Sequence, residues 1–212
     1  KAPGTFQHSL QVANLAEAAI FKIGGNALLV RAGALYHDIG KMDNPQYFIE
    51  NQNTGANPHD SLPYEKSAQI IIQHVNKGVE MARRHRVPEM VIDFIRTHHG
   101  NTRVDYFYQS FLKNFPEKLV DENIFRYPGP IPFSKETAVL MLADSVEAAS
   151  RSLKNPNVQN ISDLVERIIN YKLTQNQLTD SHITLKDIET VKSIFKIMLQ
   201  GIYHVRVDYV VK

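Results

Sequence analysis

The chain reads as an all-α domain. Apolar residues recur at three- and four-residue spacing through most of it, and capping or stopping residues fall at the ends of those stretches. Strand-like alternation is confined to residues 205–211, which suit a short strand or an extended tail. With 212 residues, 43% of them hydrophobic, a sizeable core can be buried, and we read 1–212 as one domain.

Thr5 can cap a first helix running through Leu10, Ala13, Ala16 and Ile20 until Gly24-Gly25 stops it. Asn26 can cap a second, through Leu29, Gly33 and Tyr36 to near Gly40, with His37 and Asp38 in its last turn. Residues 44–63 are rich in Asn and Pro and form a long loop between the second and third helices, of the kind often used for binding or closure. A third helix covers 64–76, Gly78 interrupts it, and 79–85 continues as helix. Pro88 opens a helix through Val91, Ile92 and Ile95 to His98-His99, with Gly100 as its stop. Residues 101–132 are mixed, and 127–132, Tyr-Pro-Gly-Pro-Ile-Pro, must be extended or turning. Ser134 with Thr137 begins an apolar helix, 138–153, that Pro156 ends. Two accessory helices follow, 162–175 and 184–203, the second with Thr184 and Asp187 as a capping box.

Composition narrows the function. A net charge of +2 gives no general attraction to nucleic acid or to an acidic membrane surface, so a polymeric nucleic acid is not expected as partner. Absence of Cys rules out disulfides and thiolate metal sites. No apolar run approaches the roughly 20 residues of a membrane span. The chain opens at Lys1-Ala2-Pro3-Gly4 with a histidine-bearing segment straight after, as a domain excised from a longer protein would. An oligomer stays open.

The chemistry lies in polar residues set among apolar ones. Asp144 sits between Leu142 and Val146, His74 lies in Ile70-Ile71-Ile72-Gln73-His74-Val75, and His37-Asp38 follow Ala34-Leu35-Tyr36. A lone helical histidine is ordinarily a surface or satisfied core residue. A carboxylate in an apolar helix, however, is costly to bury without a partner or a metal. One shared cation site explains all these positions together.

In order, the set is His8, His37-Asp38, His74, His98-His99 and Asp144. It resembles the HD superfamily of metal-dependent phosphohydrolases, whose minimal pattern is H…HD…D. The extra histidines match two-metal HD phosphodiesterases. That resemblance implies that His8, His37 and Asp144 hold one cation, that His74, His98 and His99 hold another, and that Asp38 bridges them. Two divalent cations against two carboxylates leave about +2, or about +1 with a bridging hydroxide, still attractive to a phosphodiester. Mixed His and carboxylate ligands suit Fe or Mn, with Zn, Co or Ni usable in vitro.

The runs Gly4-Thr5-Phe6-Gln7-His8-Ser9, residues 33–41, Asn57-Pro58-His59-Asp60, His98-His99-Gly100, Tyr106-Phe107-Tyr108, Tyr127-Pro128-Gly129-Pro130 and Asp144-Ser145-Val146-Glu147-Ala148 resemble the seven-transmembrane-receptor HD (PgpH-type) family. These are bacterial membrane proteins whose cytoplasmic HD domain hydrolyses cyclic di-AMP to linear pApA. Gly100-Asn101-Thr102-Arg103 after the His pair lacks the Glu and Gly-Tyr-Pro of the cyclic di-GMP enzymes.

The resemblance implies a metal-bridging hydroxide attacking phosphorus in line, with the 3′ oxygen leaving. Asp38 and Lys41 are the candidate catalytic residues; Lys41 is either a phosphate ligand or a solvated helix-end lysine. Glu65 or His59 is a candidate for proton transfer, each with a structural alternative. Asn51, Asn53 and Asn57 are candidates for adenine edges, although all three also suit turns. Tyr106, Phe107 and Tyr108 offer rings for stacking a base, or for ordinary core packing. Rival readings are a phosphohydrolase for cyclic di-GMP, linear dinucleotides or mononucleotides, an HD-fold diiron oxygenase, and a nucleotide sensor without turnover.

Overall fold

A computed structural model of the chain describes residues 1–52, 55 and 57–203. The helices are α1 (Pro3–Ile23), α2 (Ala27–Tyr36), α3 (Tyr64–Arg84), α4 (Glu89–Thr97), α5 (Asp105–Asn114), α6 (Lys135–Ser150), α7 (Val158–Thr174) and α8 (Leu185–Ile202). Among the described residues there is no strand, only an isolated bridge between Arg103 and Arg126. The expected strand or tail at 205–211 and the candidate Asn53 lie outside the described residues.

Helix α6 organises the bundle. Every residue from Thr137 to Asp144 is buried, and α1, α2, α4, α7 and α8 all pack on it. It starts at Ser134 and Thr137 as expected, through a capping box, Ser134 accepting from the Thr137 amide while Thr137 Oγ1 accepts from the Ser134 amide. Thr184 and Asp187 form a second box at α8, and Asn26 caps α2 through the Leu29 amide. Leu140, Met141 and Leu142 are fully buried. Each contributes about 1.5–3 kcal/mol of apolar burial. That is comparable with the several kcal/mol that one buried ion costs, so α6 can carry Asp144 only where its charge is met.

Several boundaries differ from expectation. Helix α1 starts at Pro3, not after Thr5, because Pro needs no amide partner in the first turn and Asn51 supplies the cap from across the fold. Helix α2 stops at Tyr36, so His37 caps it and Asp38 starts a 3-10 turn, Ile39–Met42. Helix α6 stops at Ser150, well before Pro156, and α7 starts at Val158 because Asn157 and Asn160 form a capping box. The described residues of 44–63 are not structureless: they form three short 3-10 turns, Pro45–Tyr47, Ile49–Asn51 and Pro58–Ser61.

Gly78 does not interrupt α3, which runs unbroken to Arg84. The glycine is there for close approach. A Cβ on Gly40 would lie 1.9 Å from the His74 carbonyl oxygen and 2.5 Å from the Gly78 nitrogen. The turn after His37-Asp38 therefore presses directly onto the α3 backbone beside His74. Gly40→Ala is expected to destabilise the metal-free protein by about 1–3 kcal/mol, the range for overpacking a tight contact. Urea denaturation of the two proteins measures it.

Candidate metal centre

Five helices, two of them through their C-terminal ends, bring the predicted ligands together. His8 comes from the second turn of α1, His37 and Asp38 from the end of α2, and His74 from the middle of α3. His98 caps α4 with His99 next, and Asp144 projects from α6. His37 and His98 are fully buried, and Asp38 is 1% exposed. His99 is the most open of the set, its side chain 23% exposed.

The histidine tautomers are set by the fold. Nδ1 donates to the carbonyl three residues back in His37 (Ala34, 2.7 Å), His74 (Ile71, 2.5 Å) and His98 (Ile95, 2.8 Å). A carbonyl only accepts, so each Nδ1 carries hydrogen and each Nε2 is the nitrogen turned into the cluster, where a cation would displace any proton it holds. His8 is held differently, its Nδ1 2.5 Å from Glu147 Oε2, the carboxylate–histidine arrangement that orients metal-bound imidazoles. Arg151 in turn clamps Glu147, Nη2 to Oε1 at 2.7 Å.

The freed nitrogens converge on Asp38. Oδ2 lies 3.4 Å from His8 Nε2 and 3.3 Å from His37 Nε2, while Oδ1 lies 3.3 Å from His74 Nε2 and 3.6 Å from His98 Nε2. Asp144 Oδ1 is 3.0 Å from His8 Nε2 and 3.7 Å from His37 Nε2. Two groups able to hold a cation result: His8, His37 and Asp38, and His74, His98 and His99, with donor atoms in each within 4.8 Å of one another. These residues fit divalent cations on two counts. His37 Nε2 and Asp38 Oδ1 are buried without a hydrogen-bond partner. His74 Nε2 and His98 Nε2 face each other at 3.1 Å, so neutral rings would oppose two lone pairs.

Electrostatics point the same way. Burial opposes charge on Asp38 and Asp144, yet Lys41 and His37 hold the first, and His37 and His8 the second, well below the usual carboxylate range. Burial also opposes charge on His37, but Asp38 and Asp144 overcome it and raise the imidazole to about 10. His98 is pushed down to about 4 by burial, and His99 well below its ordinary value by burial and by His98.

Lys41 is neither solvated nor free. Its Nζ lies 2.7 Å from Asp38 Oδ2 and 2.9 Å from Glu50 Oε1. The other candidates divide. Asn57, His59 and Tyr106 line one cleft of about 380 Å³ with Phe48, Ile49 and Glu50. Within it Asn57 caps the turn at His59, His59 Nε2 donates to the Tyr47 carbonyl, and Tyr106 is 73% exposed. Asn51 is turned away, its Oδ1 accepting from the Gly4 and Thr5 amides. Tyr108 is also apart, covered by Arg103 at 4.0 Å and packed on Phe125, while Phe107, buried in the same aromatic cluster, also lines the cleft against His59. Glu65 lies in the first turn of α3, where a carboxylate suits the helix dipole.

Four residues take part at the site without a role assigned from the sequence: Glu147, Arg151, Glu50 and Tyr127. Glu147 had a signal, since it is three residues beyond Asp144 on an otherwise apolar helix and so shares its face. Tyr127 stands out only within the run Tyr127-Pro128-Gly129-Pro130, with no role attached, and nothing local marks Glu50.

The family description HD domain matches residues 5–149. The chain belongs to the HD domain family. This HD domain is 45% identical to Cyclic-di-AMP phosphodiesterase PgpH of Bacillus subtilis (strain 168) over 98% of its own length and 29% of that protein's. It is 44% identical to the protein of the same name from Listeria monocytogenes, over 99% of its own length and 29% of the relative's. The chain thus spans under a third of the curated relatives it matches. The crystal structure of the L. monocytogenes PgpH HD domain in complex with cyclic-di-AMP is similar at TM-score 0.92 and 44% identity, covering 96% of this chain and 94% of that one. The all-α HD bundle is therefore the fold of this chain.

Glu147→Gln should weaken cation binding about 10- to 100-fold, the usual effect of removing such an orienting carboxylate; metal titration with a competing chelator measures it. Cation uptake should also release protons at pH 7.5, because His37, raised to about 10, is protonated in the metal-free protein. Apparent affinity should accordingly fall as pH is lowered from about 10. Calorimetry in two buffers of different ionisation enthalpy gives the proton count.

Proposed function

We propose that this HD domain hydrolyses cyclic di-AMP to linear pApA, using two divalent cations held by the buried cluster. The observation that carries the reading is the convergence of locked histidine Nε2 atoms on the two oxygens of one buried carboxylate, Asp38. Its base identity draws on the similarity to the PgpH HD domain in complex with cyclic-di-AMP. His8, His37 and Asp144 would hold one cation and His74, His98 and His99 the other, with Asp38 shared. Fe or Mn is the metal we favour, from the mixed imidazole and carboxylate donors.

Bound there, two divalent cations supply Lewis-acid activation of the phosphodiester and of water. The chain's own residues do the rest. Asp38 Oδ2 faces one histidine pair and Oδ1 the other, so a single side chain sets the spacing of the two sites. Lys41 brings a positive charge to the edge of the cluster, suited to a phosphate oxygen, and Glu50 keeps it there. Glu147 fixes the plane of the His8 ring. The cleft lined by Phe48, Asn57, His59 and Tyr106 has apolar and polar walls of the kind that accept a purine.

Among the described residues no helix is long and apolar enough to cross a membrane. We place the domain at the cytoplasmic face of a bacterial membrane, as part of a longer protein, by its resemblance to the PgpH-type family.

Asp38→Ala should lose cations at both sites and lower cyclic di-AMP turnover by at least about 10³-fold, as removal of a central catalytic group does. Product chromatography with metal analysis reads both. A wild-type domain that cleaves mononucleotides or cyclic di-GMP but leaves cyclic di-AMP intact sinks the substrate assignment. Oxygen consumption without phosphodiester cleavage sinks the reaction class.

A further inference from the structure

His99 is the odd member of the ligand set. His37, His74 and His98 each spend Nδ1 on a carbonyl three residues back, and His8 spends its own on Glu147. His99 has neither device: the nearest carboxylate oxygen, Asp144 Oδ2, stands 3.9 Å from its Nδ1, beyond hydrogen-bonding range. It is also the most exposed of the rings. By the rule that metal-bound imidazoles are oriented by their second nitrogen, this ring should be the loosest.

Tyr127 covers it. The two rings stack with centroids 4.2 Å apart and planes 24° from parallel, while His98 lies against His99 at 4.0 Å. The other ring contacts of His74, His98 and His99 are tilted or edge-on, so the near-parallel stack is specific to Tyr127. Tyr127 is itself tied to the backbone of His99. The His99 carbonyl accepts from the Thr102 amide at 3.1 Å and from Thr102 Oγ1 at 2.7 Å. The Thr102 carbonyl accepts from the Tyr127 amide at 2.9 Å. Gly100, at φ +54°, makes the turn that closes this loop. Backbone and ring contacts thus form one circuit, His99 to Thr102 to Tyr127 and back to His99.

We propose that Tyr127 is the positioning residue of His99, its ring face doing for this ligand what a second hydrogen bond does for the others. The proposal rests on the two-cation reading above. A coordinated imidazole is electron-poor, and a phenol ring stacked on it is favourable through the face of its π system. The ring, not the hydroxyl, is the working part, and the effect falls on the His74–His98–His99 half of the cluster.

The test is a metal titration of the metal-free domain with Co²⁺ or Mn²⁺ under chelator competition, for wild type, Tyr127→Phe and Tyr127→Leu. Wild type should take up two equivalents. Tyr127→Phe should keep the affinity of both within about threefold, and Tyr127→Leu should weaken one equivalent at least about tenfold while moving the other less, the loss expected of an orienting partner. An independent readout needs no destabilising change: in the Zn²⁺-loaded wild type, the His99 ring protons should be shifted upfield by the stacked ring. A wild type taking up fewer than two equivalents overturns the two-cation reading itself. Two equivalents in wild type with no loss in Tyr127→Leu overturns only the role of Tyr127. Equal losses in the Phe and Leu variants, parallel losses of both equivalents, or unshifted His99 protons overturn it as well.

Discussion

The structure turns on keeping one carboxylate ionised where water scarcely reaches. Asp38 is 1% exposed, at the junction of α2 and the turn against α3. An ion there costs several kcal/mol unless it is met from all sides. Lys41 meets one edge of it and four imidazole nitrogens surround the rest. Much else follows from that demand. Gly40 and Gly78 lack side chains so that the turn can approach α3, and Glu50 reaches over from the 44–63 connection to hold Lys41.

The imidazoles acquire direction from helix geometry. At the ends of α2 and α4, carbonyls three residues back have lost helical partners, and His37 and His98 use them. The same bond that satisfies a helix end turns the other ring nitrogen of a candidate ligand into the cluster. The end of the helix and the direction of the candidate ligand nitrogen are therefore one feature at these positions, with His37-Asp38 and His98-His99 both falling where a helix terminates.

Much of this was legible in the sequence. The capping residues Asn26, Ser134 and Thr184 act locally, so their pattern carries over directly into structure. The ligand candidates were visible because charged or polar residues in apolar helices are conspicuous without any knowledge of the fold, and the structure brings all seven to one place. What failed to show were the long-range choices. Asn51 looks like any turn asparagine, and only the tertiary fold sets it on the amides of Gly4 and Thr5. Tyr108 looks like its neighbour Tyr106, but the helix turns it toward Phe125 and Arg103 instead of the cleft. Gly78 looked like a break because its reason, the backbone of Gly40, lies far away in sequence. Glu50 and Tyr127 reach the centre through partners that no spacing rule connects.

The Asn51 cap has a wider meaning. The 44–63 connection closes the start of α1 through Asn51 and holds Lys41 through the adjacent Glu50, which also accepts from Thr5 Oγ1. His8 is one turn further along the same helix. Displacing this connection would therefore uncover the first amides of α1 and release Lys41 in a single event. The amide protons of Gly4 and Thr5 are thus reporters of the Asn51 contact, their exchange with solvent rising whenever that contact breaks.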